Sequence, residues 1–249
     1  MGPIRGVLAW QSVVDALVHA GAQDDGSGSL DVLDLGGGTG ADAVRIAALG
    51  HRVVVVDPSP DALASSARRA AEAGVTVEGR LGDTGDLAEH VPASSVDLVV
   101  CHGVLEHVPD PGQAVAAARE VLRPGGRLSV LVPGRVAAVA SRAAAGDFVG
   151  ARSLVSAVPD ASWDLATLGP RRWLPEELER LLGDHGMRPE TTRGVRVVSD
   201  EVPGVVVDGS AGARGELLAL ERAICSIPQF AGRSAGLQTV ARLESTSHP

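Results

Sequence analysis

The sequence predicts an α/β fold on a parallel sheet covered by helices on both faces, and three observations predict it. Apolar runs alternate with helical patterns through the first half of the 249-residue chain, as successive βα units require. The run Val32-Leu33-Asp34-Leu35 turns through Gly36-Gly37-Gly38-Thr39-Gly40 into a helical pattern. A second buried run, Val53-Val54-Val55-Val56, ends in Asp57, 17 residues past Gly40. Glycines let such a loop turn tightly and lie against a ligand, and the following helix points its free amides at the same place. Asp57 is then placed to accept from a ribose diol. The pattern is that of a nucleoside-cofactor pocket.

Strands are expected at Asp31–Leu35, Arg52–Val56, Val75–Glu78, Val96–Cys101 and Arg127–Val132, with helices near Ala41–Leu49, Pro60–Ala73 and Pro111–Val121. In Asp57-Pro58-Ser59-Pro60, Ser59 reads as an N-cap and Pro60 as the first helical residue. Leu122-Arg123-Pro124-Gly125-Gly126 closes a helix and turns into the next strand. From Pro133 to Arg172 the pattern loosens into alanine-rich helical stretches with Gly and Pro breaks, too long for a plain connection. The reading is one domain over residues 1–249, with 133–172 as a small helical cap over the ligand face. A helix at Pro175–Leu182, a strand near Val195–Val198, a helix over about Gly215–Cys225 and a closing edge strand at Leu237–Leu243 follow. Ala22–Ser29 and Glu244–Pro249 read as a loop and a disordered tail.

Hydrophobic residues make up 45% of the chain, yet no run approaches the roughly 20 apolar residues of a membrane-spanning helix. Met1-Gly2-Pro3-Ile4-Arg5 carries no apolar signal core, so a cytoplasmic protein away from the membrane is expected. Cys101 and Cys225 lie far apart and lack His neighbours at ligand spacing, which argues against a disulfide framework or a zinc site; no metal is expected. All 22 basic residues are arginine, and the net charge of −9 repels polyanions unless a local arginine cluster works against the average. Three Trp and two Phe leave few surfaces on which bases could stack.

The glycine loop by itself also fits the dinucleotide pattern G-x-G-x-x-A, so it does not separate a methyl donor from NAD. Asp34 moves the balance, because an acid at the strand end is placed to accept from an ammonium such as that on the amino-acid tail of S-adenosylmethionine. NAD offers no such ammonium. A pocket lined by Asp34, Asp57 and Asp83 suits a cationic sulfonium better than a pyrophosphate.

On these residues the chain resembles the class I S-adenosylmethionine-dependent methyltransferases, with Val32–Gly40, Asp57, Ser95–Glu106 and Leu122–Leu128 standing where that family's motifs stand. It is most similar to the bacterial tRNA methyltransferases that esterify the carboxylate of 5-carboxymethoxyuridine. Arg5 followed by Trp10-Gln11, the Gly36-Gly37-Gly38 loop, His102 with Val104-Leu105-Glu106, Ala145-Gly146-Asp147-Phe148 and Gly194-Val195-Arg196-Val197 carry that likeness. The resemblance implies a Rossmann-like, mostly parallel seven-stranded sheet with an antiparallel last strand, and S-adenosyl-L-methionine as cofactor. It implies that Arg5 grips the cofactor's carboxylate, that Gly36 and Gly37 touch its methionine part, with Gly38 in the same cofactor-binding loop, and that Asp57 holds the ribose. Thr84 and Gly85 would border the adenine, and His102 would sit beside the sulfonium. The family has more chain ahead of its arginine, and its lysine-rich cap segment is here Val155-Ser156-Ala157-Val158-Pro159-Asp160, without a positive charge.

For the acceptor, Arg196 on an apolar strand is costly to bury unless an anion meets it, whether a substrate carboxylate or an internal partner. Arg172, in what reads as the solvated helix entrance Arg171-Arg172-Trp173, is the second candidate. His102 is the one candidate for proton transfer. The acceptor is expected to be a small molecule or a tRNA. An NAD-dependent oxidoreductase and a non-catalytic S-adenosylmethionine-binding module are the competing functions, and the oligomeric state is open.

Overall fold

β1 (Asp31–Leu35), β2 (Arg52–Asp57) and β3 (Glu78–Leu81) run parallel, in register Leu33↔Val54 and Val54↔Glu78. The computed structural model describes residues 4–21, 28–209 and 212–244, the side chains of Arg5 and Asp208 excepted. Before β1 lies α1 (Ile4–His19); α2 (Ala41–Ala48) and α3 (Pro60–Ala73) alternate with the first strands. After β3 come α4 (Leu87–His90), β4 (Val96–His102), α5 (Pro111–Val121) and β5 (Leu122–Pro133). The chain then runs through α6 (Arg135–Ala144), α7 (Phe148–Ser156), α8 (Leu165–Leu168) and α9 (Pro175–Asp184) to β6 (Met187–Val195). It ends with α10 (Gly204–Gly209), α11 (Ala213–Ile224), α12 (Pro228–Ala231) and β7 (Gly236–Leu243).

Among the described residues the seven strands form one sheet in the order β3-β2-β1-β4-β5-β7-β6, and β7 alone runs antiparallel to its neighbours. The order reverses between β1 and β4, and in open α/β sheets ligands bind beyond the carboxyl ends of the strands at such a point. Alternation along each buried strand feeds two cores. Leu98 and Val100 of β4 pack with Val13, Ala16 and Leu17 of α1 and Ile46 of α2, whereas Val99 and Cys101 meet Val115 and Ala118 of α5 on the other face. Each fully buried Leu or Val contributes about 2 kcal/mol by leaving water. No described helix is long and apolar enough to cross a membrane.

Local chemistry sets the boundaries. Ser59 Oγ accepts from the Ala62 amide at 3.2 Å and Pro60 opens α3, as the sequence predicts. Four expectations are corrected. The third strand occupies Glu78–Leu81 rather than Val75–Glu78, because the Val75 amide closes α3 on the Ala70 carbonyl. The sixth lies at Met187–Val195 rather than Val195–Val198: the amides of Val197, Val198 and Ser199 donate to the buried Glu221 carboxylate at 2.9, 3.0 and 2.7 Å, so no ladder continues there. Leu237–Leu243 is not an edge, since β7 lies between β5 and β6 and the edge is β6. Finally, Arg171 and Trp173 are each 1% exposed, so Arg171-Arg172-Trp173 is no solvated entrance. The helix α1 had no counterpart in the sequence reading. Residues 22–27 and 245–249, where a loop and a tail were expected, lie outside the described residues.

Candidate functional site

The glycine loop begins where the Gly36 amide donates to the Val56 carbonyl at 2.8 Å, binding the end of β1 to β2. Gly36 is left-handed at φ 71°, and a Cβ there would lie 2.5 Å from Val104 Cγ2. A Cβ on Gly37 would lie 2.4 Å from Asp34 Oδ2. The loop therefore presses its bare backbone against the Asp34 carboxylate on one side and against the turn after β4 on the other. Gly37→Ala is expected to cost about 1–3 kcal/mol of stability through this collision, read as a lowered midpoint in urea unfolding.

Asp34 is 5% exposed and has no hydrogen-bond donor among the described residues. Burial, then the nearby charges of Asp42 and Asp57, push its carboxyl up to about 7. A buried carboxyl without a partner is costly unless a ligand supplies one. Asp57, at the end of the neighbouring strand, is held by the loop it faces: Oδ2 accepts from the Gly38 amide and Oδ1 from the Ser59 amide, both at 2.9 Å. The two acids thus share one end of the sheet. Asp83, Thr84 and Gly85 follow β3 beside them, where the Gly82 amide donates to the Asp57 carbonyl at 3.3 Å. Asp83 is exposed, and its Oδ1 accepts from the Gly85 amide at 2.6 Å within its own turn.

His102 ends β4, opposite Leu131 of β5, and its Nε2 lies 2.8 Å from Ser129 Oγ. Burial pushes its imidazole down to about 4, so the ring is neutral at physiological pH. In the following turn Glu106 is 7% exposed, its Oε2 lacks a hydrogen-bond partner among the described residues, and burial raises its carboxyl above the ordinary range. The sequence carries Glu106 as part of the family likeness but assigns it no role. Arg171 makes that turn an interior one.

Arg172 and Arg196, far apart in sequence, come together. With Arg233 they line a cavity of about 750 Å³ between the end of β5, the alanine face of α6 and the 196–201 segment. Arg196 is not on a strand: it follows β6 in a left-handed conformation, φ 59°, and pairs with Asp200 at 2.8 Å. Arg172 and Arg233 have no ion-pair partner among the described residues. The side chain of Arg5, whose backbone lies in α1, is outside the described residues. Among the described residues no three His, Cys, Asp or Glu side chains are grouped to hold a metal.

Comparison with known proteins falls on this same region. Residues 33–130 match the family model described as a methyltransferase domain. The chain is 38% identical over 133 residues to the tRNA 5-carboxymethoxyuridine methyltransferase of Escherichia coli, covering 52% of this chain and 48% of that one. It is 32% identical over 165 residues to the ubiquinone biosynthesis O-methyltransferase of Xylella fastidiosa, covering 66% and 63%. The chain spans about half the length of the first curated relatives it matches. Among solved structures, magnesium protoporphyrin IX methyltransferase from Synechocystis, with bound S-adenosylhomocysteine, superposes with a TM-score of 0.60 at 17% identity. That match covers 96% of this chain and 84% of the other.

Proposed function

We propose that this chain, whose residues 33–130 match the family model described as a methyltransferase domain, is an S-adenosylmethionine-dependent carboxyl O-methyltransferase. One observation carries the cofactor: among the described residues the buried Asp34 carboxylate lacks a donor, beside a loop whose glycines leave its approach clear. The ammonium of the methionine tail is the donor that such a carboxylate needs. Gly36, Gly37 and Gly38 would run along the methionine part, Arg5 would meet its carboxylate, and Asp57 would accept from the ribose. Asp83, Thr84 and Gly85 would border the adenine, and His102 would stand by the sulfur. When bound, the cofactor supplies a methyl group on a cationic sulfur.

The rest of the work belongs to the chain, which must align an acceptor with that methyl group and exclude water; alignment of this kind is worth several kcal/mol of barrier. In support of an anionic acceptor, Arg172 and Arg233, neither of them ion-paired among the described residues, line the cavity that begins two residues past Leu131, the β5 residue paired with His102, a cavity that Asp200 and Glu201 also border. A carboxylate is already ionised at neutral pH and needs no base. A phenol would need one, and the neutral His102 is poorly suited to hold a proton. The Escherichia coli relative is named for 5-carboxymethoxyuridine in tRNA, so tRNA and a small carboxylate are the two forms of acceptor to test. In this reading α6, α7 and α8 form the cap of a single domain, closing over the acceptor.

Titration with S-adenosylhomocysteine and NADH tests the cofactor; tight NADH binding with no response to S-adenosylhomocysteine overturns the proposal. Radiolabelled methyl transfer to bulk tRNA and to a carboxylic-acid metabolite pool tests the acceptor, and silence in both favours a non-catalytic binding module. Arg172→Ala and Arg233→Ala are each expected to raise the acceptor KM about tenfold, the loss of one charge-assisted contact, with S-adenosylhomocysteine affinity unchanged.

A further inference from the structure

A line of polar side chains, fully buried at Gln238 and Ser129, crosses the sheet behind His102. Arg193 on β6 is its anchor: Nη2 donates to Asp15 of α1, and Nε donates to Gln238 Oε1 of β7 at 2.9 Å. A guanidinium has donors only, so the oxygen of the Gln238 amide must face Arg193. The amide nitrogen then faces the Ser12 carbonyl at 2.6 Å, which can only accept, and Ser129 Oγ at 2.9 Å. Both ends of the amide agree on one orientation. Gln238 and Ser129 are each 0% exposed, so water does not compete.

Ser129 Oγ therefore accepts from Gln238 and keeps its own hydrogen to give. Among the described residues its one remaining partner is His102 Nε2, at 2.8 Å. We infer that Gln238 locks His102 through Ser129 as the tautomer with its hydrogen on Nδ1, making Gln238 a positioning residue and His102 a donor rather than a proton acceptor. A neutral imidazole has one free lone pair, and here the serine hydroxyl occupies it. His102 cannot take a proton from an acceptor without first breaking that bond. On the reading that this chain is a methyltransferase, the acceptor has to arrive already ionised, and the lock selects carboxylates over hydroxyl and amine groups. Burial acts in the same direction by keeping the ring neutral.

The test reads the tautomer directly, from histidine nitrogen shifts and proton couplings of the ¹⁵N-labelled full chain with S-adenosylhomocysteine present, His102 being assigned by its loss in His102→Gln. The parent is expected to show a pyrrole-type Nδ1 and a pyridine-type Nε2. Gln238→Glu keeps the shape and the bond from Arg193 but turns the donor facing Ser129 into an acceptor. The serine hydroxyl then swings to the new carboxylate, and His102 is expected to flip to the Nε2–H form. A support that merely fills space would leave the tautomer alone. Ser129→Ala, which removes the donor without adding charge, is expected to populate both forms and decides the matter if Gln238→Glu does not fold. An Nε2–H ring in the parent, or a tautomer unmoved in the folded variant, overturns the inference. The tautomer is read without turnover, so failure to methylate any carboxylate would overturn the functional reading and leave this result standing.

Discussion

Asp34→Asn is expected to stabilise the ligand-free protein at pH 8 while nearly abolishing its affinity for S-adenosylhomocysteine. The carboxyl of Asp34 stands at about 7 in the folded chain against an ordinary 3.8, chiefly because burial disfavours its charge. Between those values the folded state holds a proton that the unfolded chain has released. Stability therefore falls as pH rises through this window, and the contribution is wholly lost above about 7. At about 1.4 kcal/mol per unit the handicap at pH 8 is of the order of 4 kcal/mol. Asparagine removes the charge, although its buried amide is left short of partners at a cost of about 1–3 kcal/mol. The net gain is thus about 1–3 kcal/mol at pH 8, or a few degrees in Tm for a chain of this size, and by pH 4, where the handicap is nearly gone and the amide cost remains, it should turn into a loss. Circular dichroism melts at both pH values measure it, and a variant no more stable than the parent at pH 8 would mean that the carboxylate already has a partner. Binding runs the other way. An ammonium ligand selects the ionised carboxylate, so the parent's affinity should drop about tenfold per pH unit below 7, while above 7, where the carboxylate is ionised, truncating the buried charge pair costs about 2–5 kcal/mol. On the proposed reading, Asp34 is a group kept at the expense of stability for the ligand it would hold.

How far the site was legible follows from how local its causes are. The glycine loop, Asp34, Asp57 and His102 could be placed from sequence because strand ends and tight turns are set by neighbouring residues, and the parallel order then brings β1, β2 and β4 together. The α3 boundaries came from the Ser59 cap and Pro60 for the same reason. What failed depended on partners distant in sequence. Val195–Val198 carries the apolar pattern of a strand, but Glu221, more than twenty residues on, takes its amides. Arg196 was correctly weighed against an internal ion pair, and Asp200 supplies one, yet it still lines the cavity that Arg172 shares. Arg233 and Gln238 carry no local signal at all: one gains its meaning from a cavity wall, the other from strands on either side.

Arg171→Met is expected to cost about 3 kcal/mol or more and to weaken S-adenosylhomocysteine binding, although Arg171 is assigned no contact with the ligand. Its guanidinium is buried without a salt-bridge carboxylate among the described residues, donating to the carbonyls of Asp160 at 3.0 Å, Pro109 at 2.7 Å, Val108, and Leu105 at 3.5 Å. Its own amide donates to the Glu106 carbonyl at 3.0 Å. Burial lowers the affinity of this arginine for its proton, partly offset by Asp110 and Asp160. Methionine fills much of the volume but supplies no donor, leaving several interior carbonyls bare at about 1–3 kcal/mol each before relaxation. The effect reaches the ligand because the pinned turn carries Val104, whose methyl lies where a Cβ of Gly36 would stand. Freed, that turn no longer backs the glycine loop. Arg171→Lys should rescue little, since one ammonium with three donors cannot span carbonyls arranged for a planar fork. Thermal melts of both variants, with hydrogen exchange across residues 104–110, separate this from a general loss of packing. A lysine variant as stable as the parent, with those amides still protected, would show that charge alone holds the turn and that the fork geometry is dispensable.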